Sequence, residues 1–160
     1  MIHVYVDTNV LLDFLAERDG FYTPARKLLT FAYQGAYDLW MNASQTADIF
    51  FLLTNRGKPR LYEKAKKALA NLFEEVHLVN LGEEEVRRAL SSDIADFEDA
   101  LILSSAMSVG ADVIVTRDEG LANGIIPTRT PEEFFSWLKE KHRIGYAEMQ
   151  LIDGTWTRTL

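Results

Sequence analysis

The sequence predicts a three-layer α/β domain built on a mostly parallel sheet. Three observations lead there: short apolar runs of strand length, amphipathic stretches with helical periodicity between them, and regular alternation of the two along the chain. The 160 residues suit a single domain with a sizeable core, and 48% hydrophobic against 26% charged residues is an ordinary globular balance. No repeat, low-complexity segment or linker divides the chain, so residues 1–143 read as one domain and residues 144–160 as a C-terminal tail.

Residues 2–6 read as a buried strand, apolar apart from His3. Thr8 and Asn9 are capping residues for a helix with Val10, Leu11, Phe14 and Leu15 at helical spacing, and Gly20 breaks it. A second helix starts near residues 21–24 and stops near Gly35. Residues 37–41 form a strand, after which Asn42 and Ser44 offer caps for an apolar helix carrying Ile49, Phe50, Leu52 and Leu53. Residues 55–57 end that helix, and Pro59 starts a basic one running to about Phe73.

Residues 76–79 are a short strand. Residues 83–90 are a helix whose leading Glu83, Glu84 and Glu85 complement its N-terminal dipole. A helix over residues 97–109 stops at Gly110, and residues 113–115 are a buried strand. Residues 125–127 suit an edge strand, because Pro127 cannot donate to a central ladder. Thr130-Pro131-Glu132-Glu133 is a capped helix start, and that helix reaches about His142. In the tail, Asp153-Gly154 between two β-type segments suggests a hairpin.

The chemistry-bearing residues are acidic. Asp7 follows the first strand and Asp118 follows the fourth after Thr116-Arg117. Strand ends in a parallel sheet form the rim where ligands bind, and neighbouring ends lie about 5 Å apart. Asp7 and Asp118 can therefore share one ion if their strands are adjacent. Asp96 and Asp99 sit three apart at a helix start, and Asp48 is placed in the first turn of its helix. Singly, each has a bland alternative as a turn or helix-dipole residue; jointly they point to one site. Oxygen-only donors suit Mg²⁺ or Mn²⁺ and not tetrahedral zinc. His3, His77 and His142 are isolated in sequence, so no histidine base is implied.

Composition excludes several classes. Zero cysteines remove disulfides, thiolate metal sites and cysteine nucleophiles. No apolar run approaches the ~20 residues needed to cross a bilayer, and no signal-peptide pattern opens the chain, so a cytoplasmic location is expected. The net charge of −7 argues against a generally nucleic-acid-binding surface. Arg56, Lys58, Arg60, Lys64, Lys66 and Lys67 nevertheless cluster in one stretch, either a solvated helix face or a local strip for phosphates or an acidic partner.

Asp7-Thr8-Asn9-Val10-Leu11-Leu12-Asp13 resembles the opening motif of PIN-domain ribonucleases. Ala43-Ser44-Gln45-Thr46-Ala47-Asp48-Ile49 is similar to that family's second acidic segment. Asp96-Phe97-Glu98-Asp99-Ala100-Leu101-Ile102 and Val113-Ile114-Val115-Thr116-Arg117-Asp118 are similar to the third and fourth. The resemblance covers residues 2–138 and implies a twisted, mostly parallel sheet flanked by helices, with Mg²⁺- or Mn²⁺-dependent cleavage of RNA. On that resemblance Asp7, Asp48, Asp99 and Asp118 are the catalytic residues; the same four with Asp96 are the metal ligands, Asp99 being favoured over Asp96. Asn9 and Thr116 are expected to support them. Compact members of this family are VapC-type toxins, so the resemblance also implies an antitoxin partner, a homodimer, and tRNA or another structured RNA as substrate. Two departures stand out: Asp48 occupies a position that is usually Glu, and Leu121 lies where relatives carry an Asp-Phe pair. The alternatives are a catalytically weak RNA- or protein-binding module of the same fold and an Asp-based phosphatase. The latter needs a second Asp two residues after Asp7, where Asn9 stands.

Overall fold

The computed structural model describes residues 1–121, 124–142 and 144. Five parallel strands form one sheet: β1 (His3–Val6), β2 (Asp38–Asn42), β3 (Val76–Val79), β4 (Val113–Val115) and β5 (Thr128–Arg129), in the order β3-β2-β1-β4-β5. The first strand is therefore central, and the order reverses beside it, between β1 and β4. That is where an open sheet leaves a crevice at its carboxyl rim.

Alternation along β1 divides the core. Val4 and Val6 face one side with Leu39, Met41, Val76, Val113 and Val115. Packed there are helices α1 (Thr8–Leu15), α2 (Tyr22–Tyr33), α3 (Ala43–Leu53), α4 (Tyr62–Leu72) and α7 (Pro131–His142). Tyr5 and Ile114 face the other side, against Ile102, Leu103 and Ala106 of α6 (Phe97–Ser108). Helix α5 (Glu83–Leu90) packs on α6 and is tied to it by Arg88, which donates to the Ser104 carbonyl at 2.9 Å. Three layers result, as the alternation of runs predicts.

Three expectations need correction. The edge strand is Thr128–Arg129, not residues 125–127. Pro127 has no N–H, so it only accepts, from Ile114 N at 2.9 Å, and the ladder begins after it, while Ile125 is left 62% exposed. Pro59 starts a 3-10 turn over Pro59–Leu61, and the basic helix α4 begins at Tyr62. Helix α3 starts at Ala43, because Asn42 and Gln45 close a capping box. Asp48 is thus in the second turn, and the first turn of α3 carries no acidic residue. The suggested hairpin at Asp153-Gly154 lies outside the described residues.

Candidate active site

Asp7 lies immediately beyond β1, where its N–H still bonds to the Val115 carbonyl at 3.0 Å. Its side chain is buried, and its Oδ2 accepts from the Thr116 hydroxyl and from Asn9 Nδ2, both at 2.6 Å. Asn9 Nδ2 also reaches Thr116 Oγ1 at 3.3 Å, and Thr116 Oγ1 accepts from Asp118 N at 2.8 Å. The two strand-end acids are thereby joined through one hydroxyl. Asn9 and Thr116 both bond to Asp7.

Beneath this rim a buried network fixes the start of α1. Gln45 donates to the Val6 carbonyl at 3.0 Å and to Thr8 Oγ1 at 3.2 Å. Its Oε1 accepts from Tyr5 OH and Asn42 N, both at 2.9 Å. Asn42 Nδ2 donates to Ser105 Oγ at 3.1 Å, so β1, β2, α3 and α6 share one set of bonds. Such a network fixes geometry rather than adding large net energy.

Helix α6 aims its first turn at the same rim. Asp96 is its N-cap, with Oδ1 accepting from Glu98 N at 2.8 Å and Asp99 N at 3.2 Å. Partial burial and the charges of Asp118, Asp96, Asp7 and Glu98 push the Asp99 carboxyl up to about 6. Burial raises Asp7, offset in part by the Thr116 hydroxyl and the first N–H groups of α1, and Asp118 raises it further. The charges of Asp118, Asp96 and Asp7 thus converge on Asp99, and that of Asp118 also reaches Asp7. Exposed Asp48 joins through Glu98, which burial and the charges of Asp48, Asp7 and Asp96 also raise.

Glu98 and Gln45 are the residues that sequence reading missed. The signal for Gln45 was its spacing from Asn42, a capping-box pattern. For Glu98 it was membership of an N-terminal turn whose other acids were already assigned to the site.

Among the described residues no Lys, Arg or His forms an ion pair with these carboxylates. Arg117, adjacent to Asp118 in sequence, turns away: its Nε donates to Asp13 Oδ2 at 2.6 Å and its Nη2 to Asp13 Oδ1 at 3.0 Å. Anionic, oxygen-only and uncompensated donors fit a hard divalent cation in their chemistry. They are not closed around one. Among the described residues no three Asp, Glu or His side chains are grouped so as to hold an ion. Two of the carboxylates are engaged locally: Asp118 Oδ1 accepts from Gly120 N at 2.8 Å, and Asp96 caps α6.

Residues 3–120 match the family model described as PIN domain. Among solved structures, DNA-bound VapBC from Salmonella typhimurium aligns with a TM-score of 0.61 at 11% identity, covering 82% of this chain and 99% of that one. VapC20 of Mycobacterium tuberculosis, described as a sarcin–ricin-loop-cleaving toxin, aligns at 0.58 and 16%, covering 77% and 95%. VapBC2 of Rickettsia felis, bound to promoter DNA, aligns at 0.57 and 16%, covering 81% and 98%. At these identities the likeness is one of fold. No curated protein matches the chain.

Proposed function

The chain belongs to the PIN domain family, and from that premise we propose that it is a divalent-metal-dependent endoribonuclease, the toxin of a toxin–antitoxin pair. The observation that carries the reading is the gathering of Asp7 and Asp118 at the ends of the adjacent strands β1 and β4, linked through the Thr116 hydroxyl, with the charges of Asp7 and Asp118 both raising Asp99. Asp7, Asp99 and Asp118 would hold Mg²⁺ or Mn²⁺, with Asp48 and Asp96 at the margin. When bound, such an ion lowers the pKa of water and stabilises charge on a phosphodiester. Asp7 is fixed by Thr116 and Asn9 and serves as the central ligand. Asp99, whose carboxyl burial and the neighbouring acids raise to about 6 without an ion, would be held ionised by the bound cation and would help orient the attacking water. In-line attack by water on phosphorus, with the 3′-oxygen leaving and taking up a proton, would give a 5′-phosphate and a 3′-hydroxyl.

RNA is gripped, on this reading, by the basic strip. Arg56, Lys58, Arg60, Lys64 and Lys67 are exposed, and none of these five is in an ion pair among the described residues; Lys66 pairs with Glu63 at 3.0 Å. By contrast Arg18, Arg87, Arg88 and Arg117 are all paired with carboxylates. Unpaired cations on an acidic protein are a local phosphate surface. Structured RNA such as tRNA is the expected substrate, and a small antitoxin and a homodimer are the expected partners, by likeness to the VapBC complexes. The cytoplasm is the expected location; among the described residues no helix is long and apolar enough to cross a membrane.

The deciding experiment incubates total tRNA and rRNA with the protein in Mn²⁺ or EDTA, beside Asp7→Asn. Cleavage with Mn²⁺ only, absent in the variant, supports the reading. Binding without cleavage favours the second reading, a catalytically weak RNA- or protein-binding module, for which Asp48 in place of the family's usual Glu speaks. Charge reversal at Lys64 and Lys67 should weaken RNA binding and flatten its salt dependence.

A further inference from the structure

Arg117 is a cation set directly beside the acid site in sequence, between Thr116, which bonds to Asp7, and Asp118. A guanidinium free to rotate there would pair with a carboxylate of the rim, since Arg–carboxylate pairing is bidentate and strong. It would then compete with any cation the site takes. The side chain is instead held by Asp13, near the C-terminal end of α1. Besides its two bonds to Asp13, its Cζ lies 4.0 Å from the centre of the Phe21 ring.

Asp13 has more cation than it needs. Its side chain is 1% exposed, and Arg18 Nη1 already lies 3.3 Å from its Oδ1. One arginine suffices to neutralise one buried carboxylate, so charge balance at Asp13 does not explain the second. Retention of Arg117 does.

We propose that Asp13 is a positioning residue that sequesters Arg117 away from Asp7 and Asp118 and so keeps the acid site open to a divalent cation. The inference rests on the metal-dependent reading above and concerns which residue keeps that site free.

The test titrates the full-length protein with Mn²⁺ and follows the free ion by electron paramagnetic resonance, with thermal unfolding measured in parallel. Asp13→Asn releases Arg117, and Mn²⁺ affinity falls by about tenfold or more. Adding Arg117→Gln to that variant returns the affinity to near the wild-type value while leaving the protein destabilised. A purely structural pair predicts the opposite, with the double variant no better than the single. Should Asp13→Asn not fold, Arg117→Gln alone decides: Asp13 keeps Arg18, and Mn²⁺ affinity stays at the wild-type value although stability drops. A tenfold loss in Arg117→Gln, or a double variant that does not recover, overturns this inference alone. Wild type that binds no Mn²⁺ overturns the metal-dependent reading and this inference with it.

Discussion

Asp7 and Asp13 stand near opposite ends of α1, and both are buried carboxylates. Asp13 meets two guanidiniums; Asp7 meets a hydroxyl, an amide and the repulsion of Asp118. One carboxylate is compensated and serves the fold. The other is left wanting a positive charge, and burial, with the charge of Asp118 beside it, holds its pKa above the ordinary carboxylate value. The difference teaches that burial of an acid does not reveal its role, whereas the presence or absence of a counter-charge does.

The largest expected effect breaks that comparison at Asp7. Asp7→Asn should lower Mn²⁺-dependent RNA cleavage by at least about 100-fold in a gel assay. It should also raise the thermal midpoint at neutral pH, because the isosteric amide avoids the cost of a buried unpaired charge. A fall in stability would show that Asp7 belongs with Asp13 as a structural acid.

At Asp13 the sign reverses. Asp13→Asn should destabilise the fold by about 2 kcal/mol in denaturant unfolding; the two arginines are partly exposed, which keeps the cost below that of a fully buried pair. Equal stability of the two Asn variants would erase the distinction.

Protonation sharpens it. Asp99 at about 6 and the raised Asp7 bind protons more tightly folded than unfolded. Their stabilising contribution is therefore complete below the ordinary carboxylate range and lost as pH rises through about 6. In metal-free buffer the thermal midpoint of Asp99→Asn should fall less than that of wild type over this interval. Mn²⁺ should stabilise wild type above that window and have little effect below it.

The smallest effect lies at the α3–α4 turn. Asn55, Arg56 and Gly57 have φ of 49°, 61° and 87°, a left-handed run in which only Gly57 is free of side-chain strain. Arg56→Gly should leave stability almost unchanged while lowering the salt slope of RNA binding by about 0.7–0.9, measured by fluorescence anisotropy across a salt series.

Local chemistry was legible in the sequence. The Thr130–Glu133 capping box is present, Thr130 N donating at 2.9 Å and Glu133 N at 3.2 Å, and α7 starts at Pro131 as expected. The apolar runs became parallel strands. What stayed hidden was register across the chain. That Val6 lies opposite Val115, bringing Thr116 to Asp7, is a property of the β1–β4 pairing, which no local pattern encodes. Asp13 read as the last letter of a motif because both its arginines come from other segments, Arg18 beyond α1 and Arg117 beyond β4. Asp48 was placed a turn too early because the weaker cap, Ser44, was weighed beside Asn42, whose box with Gln45 sets the boundary.

The α3–α4 turn closes on itself. Arg56 N bonds to the Phe51 carbonyl at 2.9 Å, Gly57 N to Thr54 Oγ1 at 3.1 Å, and Tyr62 OH to the Gly57 carbonyl at 3.0 Å. Its backbone therefore has little freedom left to surrender when a polyanion arrives. Capture by this tip should cost less ordering entropy than capture by a floppy loop of equal charge, and the benefit should appear in a slower release rate more than in faster arrival.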